Sequence, residues 1–281
     1  MSSNGVLTAS LLTIGTLTLA TPAFGQTQGF DSFRHETATA LSPKPRTEET
    51  RKGRNAQIDT ELHFKSRADS LDWARNKELA AKSTGFRIIV SLQAHHVWVV
   101  AEEDTLLSAP AATAKGTTLD YWGREFKFNT PRGRRTVLNK DADPIWQPPD
   151  WLYIETAQEH GLKIERIPES GSITASDGRK ITVRDNRVGA IDAEGYAEFP
   201  VNLHIIVGNT MYIPPMGTDN RRVAGTLGKY KLNLGEGYML HGTPDQNSIG
   251  LAATHGCVRL RDEDIEWLYE NVPVGTKVYI Y

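Results

Sequence analysis

The sequence predicts a mainly β fold: a sandwich of two mixed sheets packed face to face, with a few short helices and a β-rich insertion. Three observations carry that prediction. Apolar and polar residues alternate in short runs, as where Phe86, Ile88, Val90 and Leu92 are set among Arg87, Ser91 and Gln93, which is the period of a strand with one buried face. Turns rich in glycine and aspartate separate such runs, above all between residues 157 and 208. A helical period is carried only by residues 66–82 and by the stretch that follows Asp262. A chain of 281 residues, 39% of them hydrophobic, can bury one large core or two small ones. Its formal net charge is −2, with acidic and basic residues mixed along the chain, so nothing in it suggests a nucleic-acid-binding surface.

Residues 1–25 read as an export signal. Val6 to Ala20 is an apolar and small-residue run, followed by a small-x-small site, Ala23-Phe24-Gly25, with cleavage expected before Gln26. The run is short and rich in Thr and Ser for a membrane span. It departs from the usual pattern in having no Lys or Arg among its first five residues. No cysteine stands at the cleavage site directly after it, so no lipoprotein anchor is expected, and the expected location is the periplasm or cell-wall space. Residues 26–85 are expected to be a flexible tether ending in a helix, because residues 27–57 are polar with no apolar period. That helix, over about 66–82, places Leu71, Trp73, Ala74 and Leu79 among charges and stops before Gly85.

The remaining span, 86–281, is expected to hold the catalytic domain. Its opening hairpin turns around Gln93–His96, so His95 and His96 fall at the turn; Leu106–Ala112 and Glu125–Phe128 are further short strands. Within the 157–208 insertion, Lys180–Val183, Arg187–Ile191 and His204–Val207 read as strands; the insertion is either a wall or lid over a substrate or a surface excursion. Asp262 is expected to cap a helix, with Glu263 and Asp264 favourable at its positive end. Ile265, Leu268, Tyr269 and Val272 give that helix a buried stripe, Pro273 stops it, and Lys277–Tyr281 forms a final strand.

Chemistry concentrates near the C-terminus. Cys257 is the only cysteine, so no intramolecular disulfide forms. It sits in Thr254-His255-Gly256-Cys257-Val258-Arg259-Leu260, sixteen positions after His241 in His241-Gly242-Thr243. A free cysteine is often a small buried hydrophobe. His241, His255 and Cys257 are also metal-compatible, but structural zinc wants four ligands and no fourth is evident. Glycine and threonine beside His241 and Cys257 favour a nucleophile over a plain core strand. If residues 254–260 are extended, His255, Cys257 and Arg259 share one face and Thr254, Gly256 and Val258 the other. His241 would then serve as base from a neighbouring element, and backbone N–H groups of Gly256 and Cys257, with His255, are the natural oxyanion donors.

These residues carry a resemblance. The His241-Gly242-Thr243 to Thr254-His255-Gly256-Cys257 spacing resembles the signature of the L,D-transpeptidase (YkuD, ErfK-type) family, with Thr254 in place of the commoner serine. Ile213-Pro214-Pro215-Met216-Gly217-Thr218, Leu227-Gly228-Lys229-Tyr230, Ser248-Ile249-Gly250, Thr130-Pro131-Arg132-Gly133 and Pro144-Ile145-Trp146-Gln147-Pro148-Pro149 extend it upstream. The resemblance implies an L,D-transpeptidase-like sandwich and attack by Cys257 on a peptidoglycan tetrapeptide stem, releasing D-Ala. It implies transfer of the thioester to an amine, giving a 3→3 cross-link or anchoring of a cell-wall protein, or to water. It also implies that the Gly242 carbonyl orients His241, that carbapenems acylate the thiol, and that no metal or organic cofactor is needed. Thr254 and Arg259 are the candidate substrate contacts, Arg259 because a guanidinium grips a carboxylate in two places; the competing role for Arg259 is a salt bridge within Asp262–Asp264. Trp122, Trp146 and Trp151 could stack on a glycan or simply fill core. Two other classes stay open: a zinc amidase and a catalytically silent wall-binding module.

Overall fold

A computed structural model describes residues 64–281; the expected signal segment and the tether as far as residue 63 lie outside the described residues. The sandwich is built from β1 (Arg87–Ser91), β2 (His96–Ala101), β3 (Asp104–Pro110), β4 (Gly133–Thr136), β5 (Asn139–Ala142), β6 (Tyr230–Gly235), β7 (Tyr238–His241), β8 (Val258–Arg259) and β9 (Lys277–Ile280). One sheet is five-stranded, in the order β3-β2-β1-β9-β4, and the other four-stranded, in the order β8-β7-β6-β5. Both are mixed. β1 runs antiparallel to β2 and parallel to β9; β7 runs antiparallel to β6 and parallel to β8.

The alternation seen in the sequence sets the inner faces. Ile88 and Val90 on β1 pair with Val99 and Val97 on β2 and with Val278 and Ile280 on β9. All six belong to one core with Leu232 and Leu234 of β6, Leu240 of β7 and Val258 of β8, so the two sheets bury each other. Helix α1 (Arg67–Ala81) starts at Ser66, whose hydroxyl accepts the Asp69 N–H at 3.1 Å. Ala80 is its one buried residue; it docks through Trp73, near Phe64 and Tyr281, and through an Asp69–Arg132 ion pair.

Helix α2 (Asp150–Glu159), which the sequence pattern did not announce, follows Pro148-Pro149 and buries Tyr153, Ile154 and Ala157. At ten residues it is too short for a clear helical period. Helix α3 (Asp262–Asn271) buries Ile265 and Leu268 as expected. Its N-cap, however, is Arg261 without a side-chain cap bond, so Asp262 is the first helical residue and not the cap.

The β-rich block folds as two small sheets. Ser172–Thr174, Lys180–Arg184, Arg187–Asp192 and Gly195–Glu198 form an antiparallel meander, and Ile205–Val207, Thr210–Ile213 and Lys163–Arg166 form a three-stranded sheet. They have apolar cores of their own: one around Ile181, Val188, Ile205 and Tyr212, the other joining Ile154 and Ala157 of α2 to Ile164, Met211 and Ile213. The paired structure continues to Ile213, past residue 208, because Thr210–Ile213 pairs with both Ile205–Val207 and Lys163–Arg166.

Candidate active site

β7 and β8 lie side by side in parallel, with Leu240 opposite Val258 and His241 opposite Arg259. Leu240 and Val258 point into the core, so period 2 turns His241 and Arg259 to the outer face. The chain between Thr254 and Val258 is kinked rather than a continuous strand. The burial nevertheless alternates as expected: Thr254, Gly256 and Val258 are buried, and His255, Cys257 and Arg259 are half-buried. His241 and Arg259 thus share one face of the sheet, and the Arg259 charge acts on both His241 and Cys257.

The kink is built by three contacts. Gly256 has φ +148, a conformation open to glycine, and a Cβ there would lie 3.0 Å from the Tyr238 ring and 3.3 Å from the Asn129 carbonyl oxygen. The Thr254 hydroxyl donates to the Cys257 carbonyl at 2.6 Å and accepts the Gly256 N–H at 3.2 Å. The Thr130 hydroxyl donates to the Gly256 carbonyl at 2.8 Å. Thr254 is 1% exposed, and its hydroxyl is engaged within the turn. The Gly256 N–H is held by Thr254 and is not a free oxyanion donor. The Cys257 N–H, trans to the Gly256 carbonyl, points away from Thr130.

His241 is buried, with Nδ1 2.6 Å from the Gly242 carbonyl. A carbonyl can only accept, so Nδ1 carries the proton and Nε2 keeps a lone pair. Gly242 has no room for a side chain: a Cβ would sit 2.9 Å from Asp262 Oδ1 and 3.2 Å from Gly228 Cα. Burial, reinforced by the Arg259 charge, pushes the His241 imidazole down to about 4. Burial pushes the Cys257 thiol up to about 11, against the Met239 N–H and the Arg259 charge. Its sulfur also lies 3.7 Å from the Gly237 carbonyl. At rest the thiol and the imidazole are thus both neutral.

His255 faces a different network. Its Nε2 is 2.7 Å from Glu155 Oε2, and Glu155 Oε1 is 2.5 Å from Lys115 Nζ. The ring stacks on Trp151 at 4.2 Å and meets Phe128 edge-on at 4.5 Å. Trp151 thereby supports the turn from α2. Trp122 lies exposed under the Arg166 guanidinium, 4.0 Å from its ring. His95 and His96 bond Thr113 and Ser108, at 2.8 and 2.9 Å. The guanidinium of Arg259 makes no ion pair among the described residues, so the salt bridge to Asp262–Asp264 does not form; the acid whose charge it feels is Asp245. Among the described residues no group of three His, Cys, Asp or Glu could hold a metal ion: His241, His255 and Cys257 do not form a ligand set.

Sequence reasoning passed over Thr130, Glu155 and Lys115 as site residues. The first lay in a motif noted only for resemblance, and the other two carry no local signal.

The site thus sits on a two-sheet sandwich, with His241 at the end of β7 and Cys257 just before the parallel strand β8. The L,D-transpeptidase catalytic domain (YkuD) family matches residues 85–280, and the chain belongs to it. A probable L,D-transpeptidase, YbiS, from Escherichia coli K12 is 50% identical over 66 residues, 24% of this chain and 20% of that protein. The putative L,D-transpeptidase YkuD of Bacillus subtilis is 37% identical over 82 residues, 27% of this chain and 50% of that protein. The matched stretches thus span a fifth to a half of these relatives. An L,D-transpeptidase from Xylanimonas cellulosilytica has a TM-score of 0.37 at 16% identity, covering 71% of this chain and 62% of that one. Among the described residues no helix is long and apolar enough to cross a membrane.

Proposed function

We propose that the protein is an exported, cysteine-dependent L,D-transpeptidase acting on peptidoglycan stem peptides. The observation that carries this reading is the His241 tautomer. With Nδ1–H held by Gly242, Nε2 faces outward as an acceptor on the side of the sheet that bears Cys257. Substrate arrival brings the reacting carbonyl to the sulfur. His241 takes the thiol proton as the S–C bond forms, so the thiolate is made only when it is used. The oxyanion falls to the Cys257 N–H, a kind of contact whose removal costs about 2.7–4 kcal/mol elsewhere. His241 then hands the proton to the leaving amine of D-Ala, leaving a thioester on Cys257. Arg259, lacking an ion pair, can hold the stem carboxylate.

The thioester passes to an amine of a second stem, to a cell-wall protein lysine or to water. Incubation of the full chain with tetrapeptide muropeptides, read by mass spectrometry, distinguishes these fates. D-Ala release with a 3→3 dimer is expected for the native protein, and neither product is expected for Cys257→Ala. Turnover by Cys257→Ala overturns the reading, as does His241→Ala working at the native rate. A water product alone leaves a carboxypeptidase.

A further inference from the structure

The proposed transfer leaves one proton without a carrier. An alkylammonium acceptor brings three N–H protons. The amide keeps one, and one returns to the Cys257 sulfur through His241, so the third needs another base. Hydrolysis makes no such demand, because water gives one proton to the sulfur and the product acid ionises unaided.

His255 is placed to take that third proton. Glu155 is a carboxylate and can only accept, so His255 Nε2 carries the hydrogen of the 2.7 Å contact. Nδ1 then holds the lone pair and has no partner among the described residues. The ring is fixed between Trp151 and Phe128, yet 20% of the side chain stays open to solvent. The Arg259 charge that acts on the Cys257 thiol also acts on this ring, one glycine away along the chain. Two residues of chain separate the Cα atoms by at most about 7 Å, a span that leaves room for a nitrogen approaching the thioester. Three charges act on the ring. Glu155, from α2, favours its protonated form, while Lys115 and Arg259 oppose it along with burial. Glu155 is itself held below the usual carboxylate range by Lys115 and His255, against burial.

Resting on the acyl-transfer reading above, we propose that His255 is a second catalytic base and Glu155 its positioning residue, together removing the surplus proton from the acceptor ammonium. The ammonium gives a proton to His255 Nδ1. The freed lone pair attacks the thioester carbon, and the C–N bond forms as the C–S bond breaks. A second N–H proton passes through His241 to the departing sulfur, the third stays on the amide, and His255 releases its proton to solvent. The Glu155–His255 dyad thus favours transpeptidation over hydrolysis in a site that can do both.

The test compares two acceptors on one acyl-enzyme, loaded from a tetrapeptide muropeptide. One is a simple alkylamine, an ammonium at pH 7; the other is hydroxylamine, already neutral there. The readout is the ratio of alkylamine to hydroxylamine product, which cancels any overall loss of activity or folded protein. In Glu155→Gln at pH 7 this ratio falls at least about tenfold, less than the roughly 10²–10⁴ of a general base lost outright, because the base itself is kept and only its partner is changed. It recovers as the pH rises past the alkylamine pKa, and Glu155→Asp restores part of it. An unchanged ratio, or a fall that high pH does not relieve, overturns the second base and leaves Glu155 as packing. Failure of the native protein to form an acyl-enzyme overturns the acyl-transfer reading, and this proposal with it.

Discussion

At the scale of the residue, the His241–Cys257 pair rests neutral, and its pH behaviour follows. The thiol is raised from an ordinary 9 to about 11, so at pH 7–8 the native protein holds roughly 100-fold less thiolate than its unfolded chain. Iodoacetamide should therefore modify native Cys257 slowly, the rate rising about tenfold per pH unit toward pH 11. A plateau already reached near neutrality would show a resting thiolate–imidazolium pair instead. His241 contributes on the acid side. Its folded pKa, about 4, lies below the ordinary 6.5, so between those values the unfolded chain binds more protons. The stability this group contributes is fully present above pH 6.5 and is lost as pH falls toward 4. Urea midpoints at pH 7 and pH 4.5 check it: the native protein should lose stability on acidification, and His241→Gln should lose less.

At the scale of the element, the decisive piece is the turn Thr254–Cys257, whose shape requires glycine at 256. Gly256→Ala puts a methyl group against Tyr238 and the Asn129 carbonyl at a positive φ. The cost should be about 1–3 kcal/mol, with D-Ala release falling further than stability as the Cys257 N–H is re-aimed; a variant of native stability and turnover would show that the turn tolerates a side chain. The turn was readable in advance because its residues are consecutive, as was β1–β2, where alternation at Ile88, Val90, Val97 and Val99 sets one face. The partners that hold it were not. Thr130 reaches Gly256 across 126 residues and Glu155 reaches His255 across 100, separations that leave no periodic trace. The strands Tyr230–Gly235 and Tyr238–His241 escaped for another reason: glycines at 235 and 237 interrupt the alternation. That the Thr254 hydroxyl and the Gly256 N–H bond each other was not legible either, because side-chain rotamers are invisible in a one-dimensional pattern.

At the scale of the whole molecule, the sandwich and the β-rich block are packed on separate apolar cores, and the candidate site residues His241, Cys257 and Arg259 belong to the sandwich. Exposure of the full chain to a carbapenem should leave a covalent adduct on the Cys257 peptide, since a thiolate can open a strained lactam and no Ser-x-x-Lys acyltransferase motif lies in residues 86–281. An adduct on a serine, or none on protein that still turns over muropeptides, would defeat this expectation. The placement of β9 has a temporal meaning. It lies between β1 and β4, parallel to the first strand of the domain, and its Val278 and Ile280 complete the core that Leu240 and Val258 share. A ribosome delivers the N-terminal end first, so β1 can pair with β2 early while its other edge, and β4, find their partner only when β9 follows, and contacts this distant in sequence close slowly. The middle of the five-stranded sheet is therefore filled by a strand made after both of its neighbours, so this sheet closes from the inside and late.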